Sequence, residues 1–470
     1  MSRQIAAQDR AQATLRRSLG LRDVVLLIVA LVVAPRWLAT AAQLGPVSLL
    51  FWVAGLLLFF LPCCVAVREL ARRLPGEGGI YRWTQAAFGD SHGFVVGWTY
   101  WVTNMFYLPS VLLLAASWSL YVGGSAWLSL ADDTAFNLTF ALAVIWLATL
   151  LNIIGLERAK WLNNVGGAAN WLVLILVAAA AAIALARLGA ATQFTARSLL
   201  PVQFDSSTIG VFAAIAFAYA GVEASAIAGD EIRDVARTLS KAIWIAGALI
   251  AVVYAGGTLA LLVALEPQQI DPVAGMASSF YALETRAACP GLGVVGAVVL
   301  TASQIGNVSG WITSTARLPF VAGIDRHLPA AFGRVHRRWG TPYVALLVQA
   351  VLSSAVLCAA LTGSSIREAF QQLLDATMVL AFLPLLYMFA ALPVLAARDG
   401  AGVGPRDGVA AAVGFAVTAL ALALALIPPD GTEHPALFVT KTVVGSGVLV
   451  GVGVVQYRRS RRRDGIRAAE

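Results

Sequence analysis

The chain has 470 residues, of which 59% are apolar and only 12% charged, with a formal net charge of +8. Soluble domains carry roughly 25% charged residues, so a water-soluble globule is excluded and lipid is one of this chain's solvents. The basic excess does not point to nucleic acid, because the arginines and lysines are parcelled among short segments between apolar runs.

A bilayer core needs about 20 apolar helical residues. Runs of that kind, numbered here as spans 1–12, start at Val24, Val47, Phe94, Phe136, Trp161, Ile209, Ala242, Leu292, Val344, Phe370, Val409 and Ala436. They end at Ala42, Val67, Val122, Ile154, Leu188, Ala228, Ala264, Phe320, Leu361, Leu395, Ile427 and Val455. The predicted fold class is therefore all-α, a polytopic membrane protein with short joins and no inserted soluble domain. The start, residues 1–22, reads as a polar basic tail rather than a cleavable signal peptide. With that tail inside, cytoplasmic segments hold 27 of the 33 basic residues, and a shift by one span destroys the asymmetry. Both termini are predicted to be cytoplasmic. The basic tail 458–470 reads as a topology and anionic-lipid anchor.

Two spans are interrupted. Span 1 reads LLIVALVVAPRWLATAAQLGP: Pro35 removes a backbone hydrogen bond and Arg36 places a charge at membrane depth. Span 6 reads VFAAIAFAYAGVEASAIAGDE, with Gly221 among small residues and Glu223 beyond it. Broken backbone in a membrane is tolerated only where it is buried or lines a cavity. Interruptions at corresponding positions of two halves mark the site of a secondary transporter. Freed amides and carbonyls there are expected to hold a carboxylate, an ammonium or sodium. A proline kink and a close-packing glycine are the bland alternative.

Four stretches resemble the amino acid–polyamine–organocation transporter superfamily. The first is Pro75-Gly76-Glu77-Gly78-Gly79-Ile80-Tyr81-Arg82-Trp83, continuing through Ala87-Phe88-Gly89-Asp90 to Gly93 and Trp98. It is similar to the superfamily's loop between helices 2 and 3. Phe217-Ala218-Tyr219-Ala220-Gly221-Val222-Glu223 resembles its substrate-wrapping helix 6. Asp230-Glu231-Ile232-Arg233-Asp234 and the stretch from Ala316-Arg317-Leu318 to Gly340-Thr341-Pro342 resemble the loops after helices 6 and 8.

The resemblance implies a leucine-transporter-type fold: a five-plus-five inverted repeat over 23–188 and 208–397, with two additional helices in 407–457. Two departures stand out. Val33-Ala34-Pro35-Arg36 replaces the glycine-rich segment of helix 1, as in members resembling glutamate/γ-aminobutyrate exchangers. Asn170 stands where many proton-coupled members carry a lysine in helix 5.

The substrate-binding candidates are Val33, Ala34, Pro35 and Arg36 from span 1, with Phe217, Ala218, Tyr219, Ala220 and Gly221 from span 6. By the resemblance, Tyr219 is the aromatic lid. Arg36 attracts an anionic substrate or pairs with Asp375 or Glu223. Glu223, Asp375, Asn170 and Asn104 are the coupling or gating candidates. Desolvation favours a carboxyl's neutral form, which makes Asp375 the proton-coupling candidate. Ser309 and Thr313 are candidate sodium ligands, although such hydroxyls commonly bond their own preceding turn.

The four cysteines and four histidines follow no metal or disulfide spacing, so no cofactor or metal is expected beyond H+ or Na+ coupling. The reading is a non-enzymatic secondary active transporter, permease or antiporter, moving amino acids across the cell membrane. A polyamine or organocation carrier and a transport-inactive amino-acid sensor are the alternatives.

Overall fold

The computed structural model describes residues 19–469 apart from 77, 201–205, 228, 230–231, 271–274, 325–326, 364, 401 and 427–434. Motif residues Glu77, Asp230, Glu231, Asp325 and Arg326 therefore lie outside the described residues, as do the first 18 residues of the basic tail.

Among the described residues the regular structure is helical, and each predicted span coincides with a helix. Nine helices are long and apolar enough to cross a bilayer singly: Val47–Arg73, Asp90–Gly123, Thr134–Ile154, Arg158–Leu188, Val235–Ala264, Leu292–Ala322, Tyr343–Leu361, Ile366–Arg398 and Pro405–Ala425. These are spans 2–5 and 7–11. Span 12 is the helix Pro435–Ala469. Span 1 is a bent pair, Leu21–Val32 and Arg36–Ala42, meeting at 47°. Span 6 is a helix, Ser206–Ala218, followed by a 3-10 turn, Val222–Ala226.

Burial separates the centre of the bundle from its rim. In the most apolar window of span 3, 72% of residues are buried inside the protein, against 22% for span 11. Span 3 therefore packs among other helices while span 11 leaves most of its surface to lipid. Spans 5 and 8 pack backbone to backbone. A Cβ on Gly166 would stand 2.5 Å from Gly306 Cα, so only a glycine pair permits this approach.

Three features carry no signal in the apolar runs. Span 2 contains a π-helical turn at Leu56–Phe60. A short helix, Gly275–Ala287, lies between spans 7 and 8 in the chain and packs mainly on spans 8 and 5. A second, Ile80–Phe88, follows span 2.

The end of the bundle bearing most basic loops is stapled around the start of span 1. Arg233 N–H donates to Leu19 O (3.0 Å), and Gly78 N–H donates to Ile227 O (2.9 Å). Asp23 and Lys160 form an ion pair at 2.6 Å.

Candidate functional site

A helix ends with four carbonyls that lack intrahelical partners. In span 1 the last regular bond runs from Val33 N–H to Val29 O (2.8 Å). Pro35 has no N–H for Leu31, and the Ala34 N–H turns instead toward the Tyr254 hydroxyl (3.3 Å). Each freed carbonyl receives a side-chain donor. Asn307 Nδ2 reaches Ala30 O (2.7 Å), Trp311 Nε1 reaches Leu31 O (3.2 Å), Tyr254 reaches Val32 O (2.6 Å), and Asn170 Nδ2 reaches Val33 O (3.2 Å). The break is thus a finished polar junction built by spans 5, 7 and 8. This corrects the expectation that its carbonyls stand bare for an ammonium or sodium.

Span 6 breaks on different chemistry. Gly221 has φ +123°, a conformation closed to residues with a Cβ. Its N–H donates to Glu223 Oε2 (3.0 Å), while Tyr100 donates to Glu223 Oε1 (2.9 Å). Glu223 thereby caps the interruption in its own chain and ties it to span 3. The two breaks touch, since a Cβ on Gly221 would meet Val32 Cγ2 at 3.3 Å and Leu31 O at 3.4 Å.

Beside them lies a small cavity lined by Arg36, Trp37, Tyr100, Thr103, Asn104, Tyr107, Phe217, Ala218, Ala220, Glu223, Trp311, Thr377 and Ala381, with Leu31 and Val32. Aromatic rings frame it: Trp37 meets Phe217 edge-on at 5.9 Å, and Tyr107 lies 5.3 Å from Trp311.

Arg36 is 6% exposed, and its Nε, Nη1 and Nη2 have no hydrogen-bond partner among the described residues. Its guanidinium rests 4.3 Å from the Trp37 ring and 5.6 Å from that of Tyr107. Cation–π contact offsets only part of the cost of burying a charge. Neither Glu223 nor Asp375 forms an ion pair with it, contrary to the pairing entertained from sequence. The guanidinium donors remain available to an anion that enters the cavity.

Of the nine substrate-binding candidates, Arg36, Phe217, Ala218 and Ala220 line the cavity. Val33, Ala34, Pro35 and Gly221 shape the breaks behind it. Tyr219 points elsewhere: its hydroxyl donates to Trp52 O (3.2 Å) and its ring stacks on Phe60 at 5.0 Å. It is no lid here, because it is locked against span 2.

Asn104 lines the cavity, and its Nδ2 donates to Tyr100 O (2.9 Å). Asn170 supports the first break instead of facing the cavity. Asp375 is buried (7% exposed) but precedes Thr377 by two residues, about 200° around the helix, and does not line the cavity. The Thr313 hydroxyl has two acceptors for its one proton, Asn152 Oδ1 (2.6 Å) and Ser309 O (2.8 Å), while Asn152 Nδ2 lies 3.5 Å from Ser309 Oγ. The sodium candidates are thus bound up with span 4.

Sequence reasoning missed Tyr107, Tyr254, Asn307 and Trp311. They lie in smooth apolar runs, and a polar-tipped aromatic or amide in such a run is the one signal that marks them.

The family profile for amino acid permeases matches residues 19–451. The chain is 27% identical over 384 residues to an uncharacterized transporter of Legionella pneumophila, covering 80% of each chain. It is 21% identical to the probable agmatine/putrescine antiporter AguD of Lactococcus lactis, over 73% of this chain and 72% of that one. It is 26% identical to the branched-chain amino acid permease BcaP of Bacillus subtilis, over 73% and 74%. With nearly its whole length matched, this chain belongs to the amino acid permease family, secondary transporters of the amino acid–polyamine–organocation superfamily.

Proposed function

We propose that this transporter carries amino acids as zwitterions, with the substrate carboxylate on Arg36 and its ammonium toward Glu223. The observation that carries the reading is the buried, unpartnered guanidinium in the cavity beside both breaks. An Arg fork matches a carboxylate in a bidentate way. Among the described residues, Glu223 is the one carboxyl lining the same cavity, and its two oxygens retain acceptor capacity beyond the Tyr100 and Gly221 bonds. Trp37, Phe217 and Trp311 suit an apolar side chain, as the relative named a branched-chain permease would need. A diamine of the kind named for the antiporter relative would bring a second positive charge toward Arg36. At 4 Å such a pair repels by about 4 kcal/mol at an effective dielectric of 20.

Transport proceeds by alternating access, with the two broken spans belonging to inverted repeats over 23–188 and 208–397. The concentration of basic residues in one set of loops supports cytoplasmic termini in a cell membrane. A proton is the favoured coupling ion over sodium, because the span 1 carbonyls and the Thr313 hydroxyl of span 8 already carry partners. The test is counterflow in proteoliposomes loaded with individual amino acids or their decarboxylated amines. Accumulation of amino acids but not amines supports the reading; exchange of diamines alone overturns it.

A further inference from the structure

Span 7 is an unbroken helix, Val235–Ala264, yet one of its side chains touches both interruptions. The Tyr254 hydroxyl stands 2.6 Å from Val32 O, 3.0 Å from Ala218 O and 3.3 Å from Ala34 N. A phenol has one proton to donate and lone pairs to accept with. It accepts from Ala34 N–H and donates to Val32 O, with Ala218 O as the alternative acceptor. The first two contacts staple residues on either side of Val33, three positions before Arg36. Turned to Ala218 O instead, the same proton reaches the last residue of the span 6 helix. The ring itself is fixed: it stacks on Trp52 at 4.4 Å and 8°, and meets Tyr219 edge-on at 5.4 Å. Trp52 is in turn held through Nε1 by Thr258 Oγ1 (2.9 Å), one turn along span 7.

From this geometry we infer that Tyr254 is the positioning residue of the carrier. By accepting from the Ala34 N–H and sharing its one proton between Val32 O and Ala218 O, its hydroxyl sets the two broken backbones beside each other, so that Arg36 and Phe217 face one cavity. Tyr254 does not line that cavity, and it acts on substrate through the backbone that carries Arg36. This inference rests on the assignment of Arg36 as carboxylate anchor.

The test is a double-mutant cycle on amino-acid affinity, measured by calorimetry on the purified full chain in nanodiscs. Tyr254→Phe is expected to raise Kd about tenfold, the loss of one well-placed buried hydrogen bond. In an Arg36→Gln background the same change is expected to raise Kd less than twofold, because the group being positioned is gone. Thr258→Val, which removes the Trp52 bond and leaves the hydroxyl, is expected to stay within twofold of wild type. Placing 4-aminophenylalanine at 254, which keeps a donor at the ring tip, is expected to restore affinity.

Independent, multiplying effects of the two substitutions overturn the inference, as does an unchanged Kd for Tyr254→Phe. A Tyr254→Phe chain that cannot be purified folded makes the hydroxyl a folding element and overturns it equally. Failure of Arg36→Gln alone to weaken binding strikes the anchor assignment, a separate result within the same cycle.

Discussion

The Tyr100 hydroxyl donates to Glu223 across 2.9 Å, joining the long central helix of span 3 to the 3-10 turn that follows the break in span 6. The other oxygen of that carboxyl accepts the Gly221 N–H. One side chain therefore caps the break and presents an acceptor to the cavity.

Those two duties separate by substitution. Glutamine at 223 can accept from Gly221 and turn its amide donor to the Tyr100 oxygen, so Glu223→Gln keeps the fold. Glu223→Ala leaves a buried N–H and a buried hydroxyl bare, at a cost of about 1–3 kcal/mol each. The expected result is a clear drop in melting temperature for alanine and little for glutamine. Glutamine weakens binding of the zwitterion roughly tenfold, since hydrogen bonds to charged groups contribute about 1.5–3 kcal/mol, and spares the deaminated acid. Titration calorimetry with both ligands checks this.

Removing the charge of Arg36 should cost function and spare the fold. An unpartnered buried cation is destabilising, and a methionine of similar reach relieves that cost. Arg36→Met is expected to raise the thermal melting temperature of the ligand-free protein while transport falls at least a hundredfold. A lower melting temperature would mean that the guanidinium has an internal partner in the folded protein.

Gly221 has no tolerated substitute. Its φ of +123° is strained for any other residue, and an alanine Cβ would press on Val32 Cγ2 at 3.3 Å and the Leu31 carbonyl at 3.4 Å. Strain of this kind costs about 1–3 kcal/mol. Gly221→Ala is expected to lower thermal stability by that order and to reduce the maximal transport rate, read in proteoliposomes normalised to folded protein.

Sodium should be dispensable. Thr313 donates within a span 4 and span 8 cluster, and all four freed carbonyls of span 1 already accept a side-chain donor. Replacing sodium by N-methylglucamine on both sides of the membrane is expected to leave uptake unchanged within twofold. A sodium-dependent rise in affinity would show that these carbonyls exchange their partners for a cation.

The membrane architecture was legible because lipid imposes a simple rule: about 20 apolar residues per crossing, and breaks only where something repairs them. Pro35 and Gly221 marked both interruptions, and Arg36 stood out as a charge at depth. The repair crew was not legible. Asn307, Trp311, Tyr254 and Asn170 sit on four different turns of three other helices, and only the packing of spans 5, 7 and 8 around span 1 brings them together. Tyr219 misled for the related reason that a position within a motif does not fix side-chain direction. The helix ends just before Gly221, and there the phenol packs into the span 2 interface. Asp375 lies on a cavity-lining helix, yet two residues of offset put it on the opposite face.

The proposed role of Arg36 is to bind the carboxylate of an amino acid in the cavity beside the broken spans. The most direct measurement compares the affinity of purified wild type and Arg36→Gln for one transported amino acid and for the amine left when its carboxylate is removed. Wild type is expected to favour the amino acid by at least a hundredfold, and Arg36→Gln to abolish this preference. Equal loss of affinity for both ligands, or a preference that survives in Arg36→Gln, would contradict it.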